Sequence, residues 1–459
     1  MKKAIKTTKL LRRLLLVVVL IVVLFGLGQL LGYFNVGADR SSLLMDTIDF
    51  TADAPAFDFN FNDDQINSDD AALLEQISAQ YSLALQNLDL AYTSKDSTLL
   101  ADGFTAGQRA KFAETILLDS KDHHSRTQFI DHHLNFDFLS KDRKIAAFTD
   151  KEALRINGFV STDGDLNIVS EDLVTSRIIM FLEDGFWRIA HWEQLVEKPV
   201  EEVSINSDAG FEMITGVNYY PAQFAWDTFN PDLNLETLES DFRTITETGF
   251  NAIRIFIDYH SFGGGYLSAE KLNRLNQLLD IADQAKLKVV ITLFDFYGDY
   301  RLQSWPNTAR HLDALVGAIG THPAIHSWDL KNEPDLDFAS RGESRVLSWL
   351  GFVGNHMRKL GVFQPLTIGW SNSTSAANLE DLVDYMSFHY YEDPEVFEAG
   401  LRTLRSKTTK PLVVQEYGMS TNRGFWAPFG NSKNSQAVLQ PNARFLSAGK
   451  HFPHELDLV

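Results

Sequence analysis

Cysteine is absent from all 459 residues. That excludes disulfides, thiolate zinc sites, iron–sulfur clusters and a cysteine-anchored lipoprotein form. Positive charge is short as well: 41 Lys and Arg face 61 Asp and Glu, for a formal net charge of −20. Such a balance argues against nucleic acid or an anionic membrane surface as the main partner, and against a strongly acidic polysaccharide as ligand. What is present is globular in character, with 44% hydrophobic and 22% charged residues. The length calls for two folded units plus tethers.

One long apolar run exists. Lys2, Lys3, Lys6, Lys9, Arg12 and Arg13 precede an uncharged stretch from Leu14 to about Leu31. A run of that length spans a bilayer core, and the basic cluster belongs on the cytoplasmic side. Residues 1–36 are therefore expected to be a cytoplasmic basic segment and transmembrane anchor, with the remaining chain extracytoplasmic. Secretion after cleavage near Val36-Gly37-Ala38 is the alternative. Residues 37–70 are acidic and aperiodic, and read as a linker. Phe57, Phe59 and Phe61 alternate there as a short strand would.

Residues 71–198 read as an α+β unit. A helical pattern opens at Ala72 and continues through Leu90, and a second covers Ala106 to Ile116. Strand patterns follow at Ile145 to Phe148, Arg155 to Ser161 and Ser176 to Leu182. Glu183-Asp184-Gly185 signals a hairpin into Phe186 to Trp192. From residue 210 to 459, apolar strands alternate with amphipathic helices, the pattern of a parallel sheet. Seven repeats point to a (β/α)₈ TIM barrel. The pattern weakens after about Lys433, as a truncation or a shifted frame would leave it. The eighth strand is expected to be degenerate or missing, with Ser435 to Leu446 as the last helical candidate.

Two strings carry the chemistry. Trp328-Asp-Leu-Lys-Asn-Glu-Pro-Asp335 and Pro411-Leu-Val-Val-Gln-Glu-Tyr-Gly418 each read as a buried strand ending in a glutamate, Glu333 and Glu416. Carboxylates at the ends of two parallel strands suit glycosidic cleavage: one protonates the leaving oxygen, the other attacks the anomeric carbon. His123-His124 and His132-His133 look at first like metal ligands but lack matching carboxylates, and read as solvated loop histidines.

The polar strand ends, from Arg254 through Asn332-Glu333 and His389-Tyr390-Tyr391 to Glu416, resemble glycoside hydrolase family 5 and its clan of retaining (β/α)₈ glycosidases. The resemblance covers about Gly216 to Gly430. It implies a retaining hydrolase of a neutral β-linked oligo- or polysaccharide, with Glu333 as acid/base and Glu416 as nucleophile, and with no metal or organic cofactor. It also implies that Asn332 bonds the sugar 2-hydroxyl, that Arg254 keeps Glu416 ionised, that Tyr391 donates to Glu416 and that His389 orients substrate or acid. Trp426 would stand in for the family's ring-stacking tryptophan, which has no evident counterpart here. A catalytically impaired carbohydrate-binding or scaffold protein is the alternative. Lys331 departs from the family pattern and is expected to pair with an acid or to act on Glu333. Tyr219, Tyr220, Trp226, Phe296, Tyr297, Trp370 and Tyr417 are further candidates for stacking on sugar, at least half of them expected in the core. The ending Phe181-Leu-Glu-Asp-Gly-Phe-Trp-Arg-Ile-Ala-His-Trp192 resembles the last hairpin of a nuclear-transport-factor-2-like cone fold.

Overall fold

The computed structural model describes residues 56–61, 70–118, 123–161, 165–200, 212–391, 394–417 and 444–445. The apolar run from Leu14 to Leu31 and Trp426 lie outside them. Among the described residues no helix is long and apolar enough to cross a membrane.

The first sheet contains β1 (Ala56–Phe61), β2 (His123–Phe129), β3 (Asp131–Leu139), β4 (Ile145–Ser161), β5 (Leu166–Glu183) and β6 (Phe186–Pro199), and is accompanied by helices α1 (Ala71–Ser94) and α2 (Ala106–Leu118). β1 corrects the linker expectation: the Phe57, Phe59, Phe61 segment adds a parallel strand to β3. Its two-residue period matches a pleated strand, and local acidity did not prevent pairing. The two short strands expected between Ile145 and Ser161 are one, irregular between Asp150 and Ala153, where Glu152 has φ 54°. Asp184 and Gly185 both take positive φ, 52° and 85°, at the β5–β6 hairpin, as a type I′ turn requires. The paired histidines are on strands rather than in loops. His132 is fully buried, with Nδ1 2.5 Å from Asp150 Oδ2.

The second sheet is a nearly closed parallel barrel. Its strands are β7 (Gly216–Asn218), β8 (Ala252–Asp258), β9 (Lys288–Asp295), β10 (Ile325–Asn332), β11 (Leu366–Trp370), β12 (Met386–Tyr390) and β13 (Leu412–Tyr417), hydrogen-bonded in that order. Between them run α3 (Leu235–Glu247), α4 (Ala269–Gln284), α5 (Trp305–Ile319), α6 (Glu343–Lys359) and α7 (Pro394–Arg405). β9 is buried from Val289 through Asp295 because one face meets the barrel interior and the other the helices. In α3, Leu238 and Phe242 share one face and are buried, Asn234 caps the start by accepting from Glu236 N, and Gly249 (φ 89°) ends the turn that follows. The expected helix from Ser435 to Leu446 is not what Arg444–Phe445 form. These two residues are β14, antiparallel to β7. A parallel eighth strand would complete a (β/α)₈ barrel; β14 pairs with only Val217 and Gly216, and in the opposite sense.

Residues in the barrel interior are layered. Ile214, Ala252, Val290, Tyr385 and Val413 form a small apolar plug. Arg254, Thr292, Asp329, Thr367, Ser387 and Gln415 follow as buried polar residues. The smaller sheet meets the barrel at α6, where Lys359 Nζ lies 3.0 Å from Glu171 and Ser344 Oγ donates to Asp165.

Candidate active site

Both glutamates reach the barrel mouth through irregularities in their strands. Against β11, Asp329 pairs with Thr367 but Asn332 pairs with Gly369, so β10 carries one extra residue just before Glu333. Against β12, Phe388 pairs with Val414 and His389 with Glu416, so β13 carries one just before Glu416. Bulges of this kind re-aim side chains at strand ends. Glu333 itself is in the left-handed region, φ 47° and ψ 50°, with its N–H donating to Gly369 O at 2.6 Å. A non-glycine residue held there is a sign of functional strain.

Arg254 organises the layer below. It is fully buried in β8. Its Nη1 donates to Glu416 Oε1 at 2.9 Å, and its Nη2 donates to Asn332 Oδ1 at 2.9 Å and to Asp329 Oδ2 at 2.6 Å. Its Nε donates to Thr292 Oγ1 at 2.7 Å and to Asp329 at 3.1 Å. Burial opposes the guanidinium charge, but Asp329 and Glu416 outweigh it and hold the Arg254 pKa above its ordinary value. Asp329 is equally buried and also accepts from Thr292 Oγ1 and from the Gly369 N–H. A Cβ at Gly369 would come within 2.7–2.9 Å of Gln415 Oε1, Arg254 Nη2 and Asp329 Oδ2. Glycine there is what lets the strand pass this ion pair.

Above that layer, Tyr391 Oη donates to Glu416 Oε2 at 2.6 Å. His389 Nδ1 lies 2.8 Å from Glu333 Oε1 and 3.5 Å from Glu416 Oε2. Burial alone would raise the Glu416 pKa. His389, Arg254 and the Tyr391 hydroxyl together override it and hold the carboxyl below its ordinary value. The Glu333 and Glu416 side chains keep 25% and 16% exposure, so solvent-borne groups can reach both. One carboxylate oxygen from each, with one His389 nitrogen, lies within 4.8 Å of the others. Three such donors are enough for a cation in principle. Here, however, both Glu416 oxygens already accept from Arg254 and Tyr391, and the fixed guanidinium would repel a metal ion alongside it.

Six of the residues expected from sequence therefore converge: Glu333, Glu416, Arg254, Asn332, His389 and Tyr391. Among the stacking candidates, Tyr219, Tyr297 and Trp370 are buried core residues. Tyr220 stacks on Phe256 (5.0 Å, 10°), which in turn lies 4.5 Å beneath the Arg254 guanidinium, and Trp226 leans on Tyr220 at 4.8 Å. Trp226 is 64% exposed with φ 71°, a rare conformation for so bulky a residue. Lys331 is buried, with Nζ 3.4 Å from Phe294 O. Sequence reasoning passed over Asp329 and Thr292. A carboxylate inside an otherwise apolar parallel strand was the available signal, because a buried charge demands a partner.

No family model matches the sequence. A β-glucuronidase from Chlorocebus aethiops is 28% identical over 148 residues, 30% of this chain and 22% of that protein. A mannan endo-1,4-β-mannosidase A from Podospora anserina is 21% identical over 262 residues, 45% of this chain and 70% of that protein. Among solved structures, an exo-β-1,4-mannosidase from Opitutaceae bacterium strain TAV5 aligns at TM-score 0.40 and 18% identity, covering 50% of this chain and 49% of that one. The barrel is glycoside hydrolase family 5-like. Within this family 5-like barrel, Glu333 and Glu416 follow the fourth and seventh parallel strands, β10 and β13. The chain nevertheless spans only 22% of the length of the glucuronidase it matches.

Proposed function

We propose that the protein is a retaining glycoside hydrolase that cleaves a neutral β-linked glycan by double displacement. The observation that carries this is the gap between Glu333 and Glu416, with one oxygen of each within 4.8 Å. Retaining enzymes hold their carboxyl groups about 5–5.5 Å apart, whereas inverting ones need about 6.5–9.5 Å to admit water between them. In the first step the ionised Glu416 attacks the anomeric carbon and forms a glycosyl ester, while Glu333 gives its proton to the departing glycosidic oxygen. In the second, Glu333 takes a proton from water, the water oxygen attacks the same carbon, and Glu416 leaves as carboxylate. Arg254 and Tyr391 favour the charged nucleophile, and His389 orients Glu333. Asn332, fixed by Arg254, meets the sugar 2-hydroxyl. The exposed Trp226, with Tyr220 against it, offers a platform for a sugar face beside Arg254, and Trp426 is proposed as a further stacking residue.

Residues 210–459 form the catalytic (β/α)₈-type domain in this reading and residues 71–198 a cone-like domain. Residues 1–36 anchor the chain with its catalytic part extracytoplasmic. The antiparallel β14 favours a second reading, in which a barrel closed imperfectly binds saccharide without turnover.

Reducing-sugar release from β-1,4-mannan and β-1,4-glucan oligosaccharides tests the first reading. Glu333→Ala and Glu416→Ala should each lower kcat at least about a thousandfold. Azide should rescue Glu416→Ala and give a glycosyl azide of inverted configuration. Turnover near that of the unaltered protein in both variants would sink it, and binding without turnover in the unaltered protein would favour the second reading.

A further inference from the structure

The smaller sheet unit holds a cavity of about 490 Å³ between α1, α2 and strands β2, β4 and β6. That lies within the roughly 300–1,000 Å³ typical of small-molecule sites. None of its lining residues belongs to the barrel or to the Glu333–Glu416 site.

One side of the cavity is apolar: Leu85 and Leu88 from α1, Phe112 from α2, Phe129 from β2 and Trp192 from β6. Trp192 stands between two other rings, 6.1 Å from Phe112 and 6.4 Å from Phe129 between centroids. The other side is polar, and two of its buried atoms, Gln108 Oε1 and Arg155 Nε, have no hydrogen-bond partner among the described residues. Thr127 Oγ1 donates to Asn157 Oδ1 at 3.1 Å, and Gln194 Oε1 accepts from Arg155. The buried charges in the wall are also compensated. Asp89 receives two hydrogen bonds from Arg126, at 3.0 and 2.7 Å. Arg155 reaches Asp172 at 3.2 Å and Glu197 at 2.7 Å. Lys111, the remaining charged residue of the lining, is exposed, so an ionised ligand would find no buried counter-charge, and desolvating it there would be costly.

A neutral guest with a flat apolar face on one side and hydrogen-bonding groups on the other satisfies both halves. A wholly apolar guest would strip water from the polar wall and return nothing. A pyranose ring has the required form: C–H faces that lie against aromatic rings, and equatorial hydroxyls that both donate and accept. We propose that this cavity is a saccharide-binding site, separate from the barrel, that takes a neutral mono- or disaccharide with its ring against Trp192. The assignment stands on the cavity alone and does not depend on the barrel being a hydrolase.

Photolabelling of the full chain tests it. The Glu416→Ala protein would be irradiated with diazirine-tagged β-1,4-mannobiose and, separately, with a diazirine-tagged alkyl alcohol, and the adducts mapped by mass spectrometry. Saturable mannobiose adducts are expected on peptides covering residues 85–92, 108–115 and 192–194, competed by free mannobiose or cellobiose. Trp192→Ala should reduce them about tenfold, the loss of one aromatic stack. Thr115→Trp, which adds bulk at a lining position and removes from the wall only the exposed Thr115 hydroxyl, with its contacts to Tyr92 Oη and Phe112 O, should do the same if Trp192→Ala does not fold. Absence of adducts on these peptides would overturn the proposal. So would labelling there by the alkyl probe that free disaccharide fails to displace. Adducts on peptides within residues 212–417 report separately on the barrel. Their absence beside intact cavity labelling would count against the hydrolase reading and leave this one standing.

Discussion

Asp329 in the barrel and Asp150 in the smaller sheet unit are both buried carboxylates, 0% and 1% exposed, and each gathers several donors. Asp150 accepts from Tyr81 Oη at 3.1 Å and from the His133 N–H at 3.0 Å, and faces His132 Nδ1 at 2.5 Å. Burial, with the Asp150 charge adding to it, pushes the Tyr81 hydroxyl well above its ordinary pKa, so it stays a donor. That cluster cross-links α1, β3 and β4, and none of the hydrogen bonds named for it reaches the barrel mouth. Asp329 instead holds Arg254, whose other nitrogens reach Glu416 and Asn332 at the barrel mouth. The two clusters have similar chemistry and differ in where their last hydrogen bond goes. A buried ion pair points to function when it fixes a partly exposed reactive group, and to architecture when it closes on itself.

Deleting each carboxylate sharpens that contrast. Asp329→Ala strands the Arg254 charge in the interior, and should destabilise the protein by about 3–5 kcal/mol in denaturant melts. Asp329→Asn keeps the shape and several acceptor contacts. It should remain folded yet lose activity, because Arg254 is then free to shift away from Asn332 and Glu416. An Asp329→Asn protein with unchanged kcat and pH profile would reduce Asp329 to packing. Asp150→Ala leaves the Tyr81 hydroxyl and His133 N–H without their acceptor, and should cost about 1–3 kcal/mol. Its turnover at temperatures well below the melt should match that of the unaltered protein. A kcat loss there larger than about threefold would break the comparison, since it would couple the smaller unit to the barrel site.

Much of this was legible in the chain. The β-branched run Lys288–Asp295 is a strand of the alternating pattern expected after residue 210, because an apolar stretch buried on both faces leaves little ambiguity. Five of the six converging polar residues were identifiable from strand-end position, whereas Arg254 lies inside β8, four residues before its end. Three features were not. The extra residues before Glu333 and Glu416 depend on register against β11 and β12, which no local pattern encodes. The partnership of Arg254 with Asp329 joins residues 75 apart in sequence, and Asp329 was passed over beside the louder Asn-Glu-Pro. Ala56–Phe61 looked like linker because its acidic neighbours dominated the composition, while its pairing partner β3 lay far along the chain.

The smallest expected effect concerns the group that links the nucleophile to solvent. Tyr391 is 53% exposed, and its hydroxyl is one of several groups holding the Glu416 pKa down. Burial and then the Glu416 charge raise the Tyr391 pKa far above neutrality, so it donates throughout the working range. Glu416 must be ionised to attack. The acid limb of kcat/KM should therefore lie below the ordinary carboxylate range, and Tyr391→Phe should move it upward while lowering kcat by about tenfold. The stability sign follows from the same depression. A carboxyl whose folded pKa lies below its unfolded one stabilises the fold above the unfolded value, and that stabilisation is lost as pH falls through the folded value. Tyr391→Phe should accordingly begin to lose stability at a higher pH on acidification than the unaltered protein, with little change at neutrality beyond the loss of one exposed hydrogen bond. If the limb stays put in both activity and melting, Glu416 owes its ionised state to Arg254 and His389 alone. The link from Asp329 through Arg254 would then be the stronger of the two controls on the nucleophile.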